Sequence, residues 1–138
     1  MKKIKLSILL VFLLLINISN SSFANEGMIE YQIKSELFMK RLIVGNINEA
    51  YDLLLIGSPL KSNPKNLKMI KQTNVQIIKD YGKPLSFDFL KQKKSGKDKV
   101  SVQYLLRSQK YPLIWEFHYQ KQKNEWLITK INFLQATG

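Results

Sequence analysis

Leu113-Ile-Trp-Glu-Phe-His-Tyr-Gln120 decides the fold. Large apolar side chains at Leu113, Trp115, Phe117 and Tyr119 alternate with Glu116, His118 and Gln120. A period of two is that of a strand with one face in a core and the other in water. The same alternation lies on either side. Upstream, Val100, Val102, Tyr104 and Leu106 alternate with Ser101, Gln103 and Arg107, and before them Leu85, Phe87 and Phe89 alternate with Ser86 and Asp88. Downstream, Trp126 to Phe133 forms a fourth strand. Turn residues separate these runs: Ser95-Gly96, Ser108 to Tyr111, and Lys123-Asn124-Glu125. Four strands joined by short turns predict an antiparallel meander.

Before Leu85 the period is helical. Over residues 28–44, Met28, Ile29, Ile33, Leu37, Leu42 and Ile43 fall near one stripe, which predicts a core-facing helix ended by Gly45. Asn46-Ile-Asn-Glu49 reads as a capping box opening a second, short helix, with Ile47, Ala50, Tyr51, Leu54 and Leu55 as its apolar side. Gly57-Ser58-Pro59 stops it. Asn63-Pro64 supplies an N-cap and a proline for the first turn of a third helix, which runs to about Tyr81 with Leu67, Ile70, Val75, Ile77 and Ile78 as core positions. Gly82 and Pro84 end it. Three helices followed by a run of strands define an α+β fold, with the helices packed on one face of the sheet. The other face is left exposed, buried in a homodimer, or covered by the sheet's own curvature.

The order, together with Val44-Gly-Asn-Ile-Asn-Glu-Ala-Tyr51, Asp80-Tyr-Gly-Lys-Pro84 and the closing pair Tyr111 to Tyr119 and Glu125 to Phe133, resembles the nuclear transport factor 2-like (NTF2-like) superfamily, the cystatin-like α+β roll, over most of residues 28–133. The resemblance implies a curved four-stranded sheet wrapped around helices as a cone with a pocket. Small exported bacterial members have no assigned function, others are isomerases, dehydratases or assembly factors, and the fold alone does not choose among them.

The first 24 residues carry a separate message. Lys2, Lys3 and Lys5 precede a nearly unbroken apolar run from Leu6 to Ile18, and Ser22-Phe23-Ala24 follows. This is the pattern of a cleavable secretory signal. The expectation is a mature domain of residues 25–138 in the bacterial periplasm or the surrounding medium, with no membrane-spanning segment after cleavage. There is no cysteine, which excludes disulfides and thiolate metal sites. One histidine and scattered acids match no metal-ligand spacing, and no phosphate-binding glycine loop is present, so no metal or cofactor is expected.

The chain carries 22 basic and 10 acidic residues, a net charge of +12. The signal holds three of the lysines and no acid, so its removal leaves +9. The densest run, Lys91, Lys93, Lys94, Lys97 and Lys99 around Ser95-Gly96, reads as a solvated hairpin tip, or alternatively as a surface for an anionic envelope polymer. Export argues against nucleic acid.

Chemistry has few candidates. His118 is the sole histidine; as a general base it would need Asp52, Asp88 or Glu116 to orient it, and alternation places it opposite Trp115, Phe117 and Tyr119. Asp52 and Asp88 are the acids an isomerase-type reaction would place inside the cone, although alternation sets Asp88 on the face away from Phe87 and Phe89. Most of the aromatic residues must be core in a domain this small, and Tyr31, Tyr51, Tyr104 and Trp115 are the expected lining of a ligand pocket. The leading expectation is an exported, non-enzymatic binding or assembly domain of the cell envelope. It would take a small apolar ligand or an envelope protein through the cone pocket or the exposed sheet face. A small isomerase or dehydratase, and charge-driven attachment to anionic polymer, are the alternatives.

Overall fold

The computed structural model describes residues 28–136, so the expected signal segment lies outside the described residues. Three helices come first: α1 (Glu30–Ile43), α2 (Ile47–Leu54) and α3 (Pro64–Tyr81), with a 3-10 turn at Pro59–Ser62 between the last two. Four strands follow: β1 (Pro84–Lys94), β2 (Lys99–Ser108), β3 (Leu113–Gln122) and β4 (Glu125–Gln135). They pair antiparallel in the order β1-β2-β3-β4, an open meander in an α+β fold. Among the described residues no helix is long and apolar enough to cross a membrane.

The turns follow from residue type. Gly45 and Gly96 have φ of 86° and 80°, and Lys123 and Asn124 take φ of 49° and 64° in the two-residue turn between β3 and β4. Asn63 caps α3, its side-chain oxygen accepting from the amides of Lys65 and Asn66. The capping box expected at Asn46 does not form: the Asn46 side chain makes no cap bond, and Glu49 instead pairs with Arg41 at 3.5 Å.

The core lies between the helices and one face of the sheet. β2 contributes Val100, Val102, Tyr104 and Leu106, and β3 contributes Leu113, Trp115, Phe117 and Tyr119. Their register is direct, with Tyr104 opposite Trp115 and Trp115 opposite Phe133. Phe38 of α1 sits at the centre, its ring 4.9 Å from Tyr51, 5.5 Å from Trp115 and 5.5 Å from Phe117.

Apart from Leu42, which is buried as expected, the buried stripe of α1 differs from the expected one. Tyr31, Ser35, Phe38, Met39 and Leu42 face the sheet, whereas Met28, Ile29, Ile33 and Leu37 are each about 40% exposed. Both sets have helical spacing. The set holding the aromatic rings wins because Tyr31 and Phe38 remove more apolar surface from water than Ile33 and Leu37 could at the same two turns. In α3, Asn74 is the buried residue; Leu67, Ile70, Ile77 and Ile78 are half-buried and Val75 is exposed. The Tyr51 hydroxyl explains this, since it donates to Asn74 Oδ1 at 2.6 Å and fixes which side of α3 turns inward.

Candidate functional site

The inner face of the sheet is occupied by packing. Tyr31, Tyr51, Tyr104 and Trp115, the expected pocket lining, are 0–1% exposed and belong to the aromatic core; of the four, Tyr31 also borders a surface cleft. Burial raises the pKa of Tyr51, Tyr104 and Tyr119, and the Glu36 carboxylate pushes Tyr104 further in the same direction. The expected acids lie at the surface. Asp52 pairs with Lys71 at 3.7 Å, and Asp88 pairs with Arg107 across β1 and β2. Neither joins His118, and the three polar or charged residues that are buried are Ser35, Ser58 and Asn74 among the described residues.

The polar constellation is on the opposite face. Glu116 and His118 are two apart on β3, so both point away from the core. Antiparallel register then adds one residue from each flanking strand to each position. Gln103 of β2 and Asn132 of β4 stand opposite Glu116; Ser101 and Lys130 stand opposite His118. The result is a connected network. Gln103 Nε2 donates to Glu116 Oε2 at 2.5 Å, while Asn132 Nδ2 and His118 Nε2 reach Glu116 Oε1 at 3.2 and 2.6 Å. Because an ionised carboxylate can only accept, the Nε2 of His118 carries its proton toward Glu116. Burial alone would raise the Glu116 pKa, but the hydrogen bonds from Gln103, Asn132 and His118, with the charge of His118, outweigh it and hold the carboxyl below its ordinary value. A β-bulge makes this register. Tyr119 pairs with Ile128 but His118 pairs with Lys130, so Thr129 is the extra residue, and its hydroxyl donates to the His118 carbonyl at 3.3 Å.

Around His118 the sheet face is concave, a groove of about 490 Å³ lined by Lys93, Lys99, Ser101, Thr129 and Lys130 beside the Glu116–His118 pair. The expected basic run is divided here by a second bulge. Phe89 pairs with Tyr104 and Lys91 with Gln103, so Leu90 is the extra residue of β1. Beyond it, Lys91 and Lys93 lie with the outer-face residues Gln103 and Ser101, while Lys94 pairs with the inward Val100. Lys94 and Lys97 instead border a cleft beside Tyr31 and Trp126, which Lys99 also touches.

Chemically, the groove offers ammonium groups, hydroxyls and an imidazole, with its one carboxylate already engaged. A histidine oriented by a carboxylate is half of a nucleophile-activating arrangement. The other half is not assembled: Ser101 stands opposite His118 but no hydrogen bond joins them. No group of three or more His, Asp or Glu side chains arranged to hold a metal occurs among the described residues. Gln103, Asn132 and Lys130 were not expected as site residues, and their only signal is that they are polar at outward positions of their strands.

No protein-family model matches the chain, and no curated protein matches it. Among solved structures it is similar to a DUF4783 family protein from Bacteroides uniformis, with a TM-score of 0.41 and 17% identity over 51% of this chain. The match spans 64% of that protein.

Proposed function

We propose that the chain is an exported, non-enzymatic binding domain of the cell envelope, an NTF2-like member that engages its ligand or partner through the outer face of the sheet. The observation that carries this reading is the division of labour between the two faces. The inner face is filled by Trp115, Phe117, Tyr104 and the helices, while the outer face holds an ordered polar network over a groove that no described element covers. Maintaining Gln103, Glu116, His118 and Asn132 in one hydrogen-bonded set fixes rotamers that a purely solvated face would leave free, and such preorganisation lowers the cost of binding. The groove falls within the size range of small-ligand sites. Its charged rim distinguishes it from the apolar surface that a permanent homodimer buries.

A photo-crosslinking side chain at position 103 tests the reading in envelope-containing cells. A discrete adduct is expected there and not from the same group at position 53 on α2, on the helical side. Equal adducts from both positions would overturn the sheet face as the binding surface. Export is tested by the N-terminus of the protein recovered outside the cytoplasm: it should be Asn25, and recovery only in the cytoplasm with Met1 retained would refute it.

A further inference from the structure

We propose that the groove beside His118 is an anion site for a phosphate-bearing ligand, held by Lys93, Lys99 and Lys130. The proposal rests on the reading of the outer sheet face as the binding surface. Three strands contribute one cation each: Lys93 from β1, Lys99 from β2 and Lys130 from β4, all lining the same groove. Like most lysines among the described residues they have no carboxylate within ion-pair reach, and what sets them apart is that they converge on one concavity. Lys34, Arg41, Lys71 and Arg107 each have a carboxylate within reach, Glu30, Glu49, Asp52 and Asp88 in turn, whereas none of the three groove lysines has one among the described residues. The one carboxylate in the groove, Glu116, turns its oxygens to Gln103, Asn132 and His118 and forms an ion pair with none of the three lysines. The groove thus carries three ammonium groups with no ion-pair partner against the single carboxylate of Glu116, an excess of positive charge around one concavity, where the lysine fields add.

The surroundings favour phosphate over a smaller anion. The Ser101 hydroxyl lines the groove with the three ammonium groups. Donors arriving from three strands suit a group with several charged oxygens, whereas a planar carboxylate presents only two. Lysine supplies these contacts as point charges with rotatable donors rather than as a planar fork, a mode in which lysine also binds phosphate. A soluble phosphate ester and a phospholipid headgroup share this chemistry.

The test uses the protein as recovered from expressing cells, with three probes: inorganic phosphate, sodium acetate, and vesicles of phosphatidylglycerol set against phosphatidylcholine. Phosphate should shift the amide resonances of Ser101, His118 and Lys130, and acetate at the same ionic strength should not. Lys93→Glu and Lys130→Glu should each weaken binding by about tenfold, and Lys65→Glu, an equal charge change on α3, by less than about twofold. Binding to phosphatidylglycerol vesicles through the same lysines assigns the ligand to a lipid headgroup; binding to phosphate alone assigns it to a soluble ester. If Lys65→Glu weakens binding as much as the groove variants, net charge does the work and the site is overturned. Equal response to acetate overturns the phosphate class. An adduct at position 103 together with no response to phosphate or anionic vesicles overturns the anion site and leaves the sheet face standing as a binding surface.

Discussion

The hydroxyl of Tyr119 on β3 donates to Ser35 Oγ on α1 across 2.7 Å, and Ser35 Oγ in turn donates its hydrogen bond to the Tyr31 carbonyl at 2.8 Å. This two-step relay satisfies both hydroxyls inside the core and pins one turn of α1 to the central part of the sheet. It also explains how a serine can occupy a fully buried position in the helix: it needs a polar partner there, and Tyr119 is the partner.

Removing either end of the relay should therefore destabilise the fold. Ser35→Ala leaves the Tyr119 hydroxyl buried without an acceptor, and Tyr119→Phe removes the donor to Ser35. Each should cost about 1–3 kcal/mol in urea-induced unfolding. The double variant should cost less than the sum, since the second change removes a group already unpaired. Strict additivity would show that the two hydroxyls do not act together.

Tyr104→Phe should behave in the opposite way. The Tyr104 hydroxyl is buried and has no hydrogen-bond partner among the described residues, while its ring packs edge-on against Phe87, Phe89 and Phe117. Phenylalanine keeps those contacts and removes a desolvated oxygen, so stability should be unchanged or higher by up to about 1 kcal/mol. A loss comparable with that of Tyr119→Phe would mean that the hydroxyl has a partner.

The exposed stripe of α1 gives a third contrast. Phe38→Ala should cost about 3–5 kcal/mol, because it empties the centre of the aromatic core. Ile33→Gln changes a residue 42% exposed and should shift stability by no more than about 0.5 kcal/mol. Thermal or urea unfolding of the pair decides which α1 stripe faces the sheet.

These contrasts show what was legible in the sequence. The strands, their order and the inward set Trp115, Phe117 and Tyr119 follow from alternation alone, and His118 falls outward by the same rule. The site was less legible because it depends on register. The turn pairs Gln122 with Glu125, and a regular ladder from that pair would set Glu116 opposite Ile131; the bulge at Thr129 moves Asn132 there instead. The bulge at Leu90 likewise puts Phe87 and Phe89 opposite inward residues of β2 while keeping Lys91 and Lys93 outward. One inserted residue flips every later side chain, and neither Leu90 nor Thr129 carries a residue-type signal for a bulge. The α1 stripe was ambiguous for a different reason: two helical faces of that segment are apolar, and only the partner rings across the core decide between them.

Gly82 makes a prediction that rests on backbone shape. Its φ of 93° and ψ of 178° belong to a region that residues with a side chain avoid. A Cβ there would also lie 2.9 Å from Gln109 Cβ and 3.1 Å from the Lys110 amide, which is bonded to the Tyr81 carbonyl at 2.9 Å. Gly82→Ala should therefore cost at least about 1–3 kcal/mol. It should also loosen the junction between α3, β1 and the end of β2, seen as faster amide exchange at Gln109 and Lys110. Unchanged exchange and stability would show that the junction can relax at no cost.

Glu116 links the site to pH. Its carboxyl is held below its ordinary value in the folded protein, because three side-chain donors outweigh the penalty of burial. In the unfolded chain those donors are gone and the ordinary value returns. The unfolded state therefore binds the proton more readily, and the stability that Glu116 contributes is complete above the ordinary carboxylate value. It is lost as pH falls through the lower folded value. Glu116→Gln removes the ionisation while retaining the size of the side chain. The difference in urea midpoint between the natural protein and this variant should be largest near neutral pH and should shrink as the pH is lowered through the carboxylate range, because protonated Glu116 then resembles the amide. His118→Phe should reduce the neutral-pH difference, since His118 supplies the shortest of the hydrogen bonds to Glu116 Oε1, 2.6 Å against 3.2 Å for Asn132. A midpoint difference constant from neutral to acidic pH would show that the network is not what lowers the affinity of Glu116 for its proton.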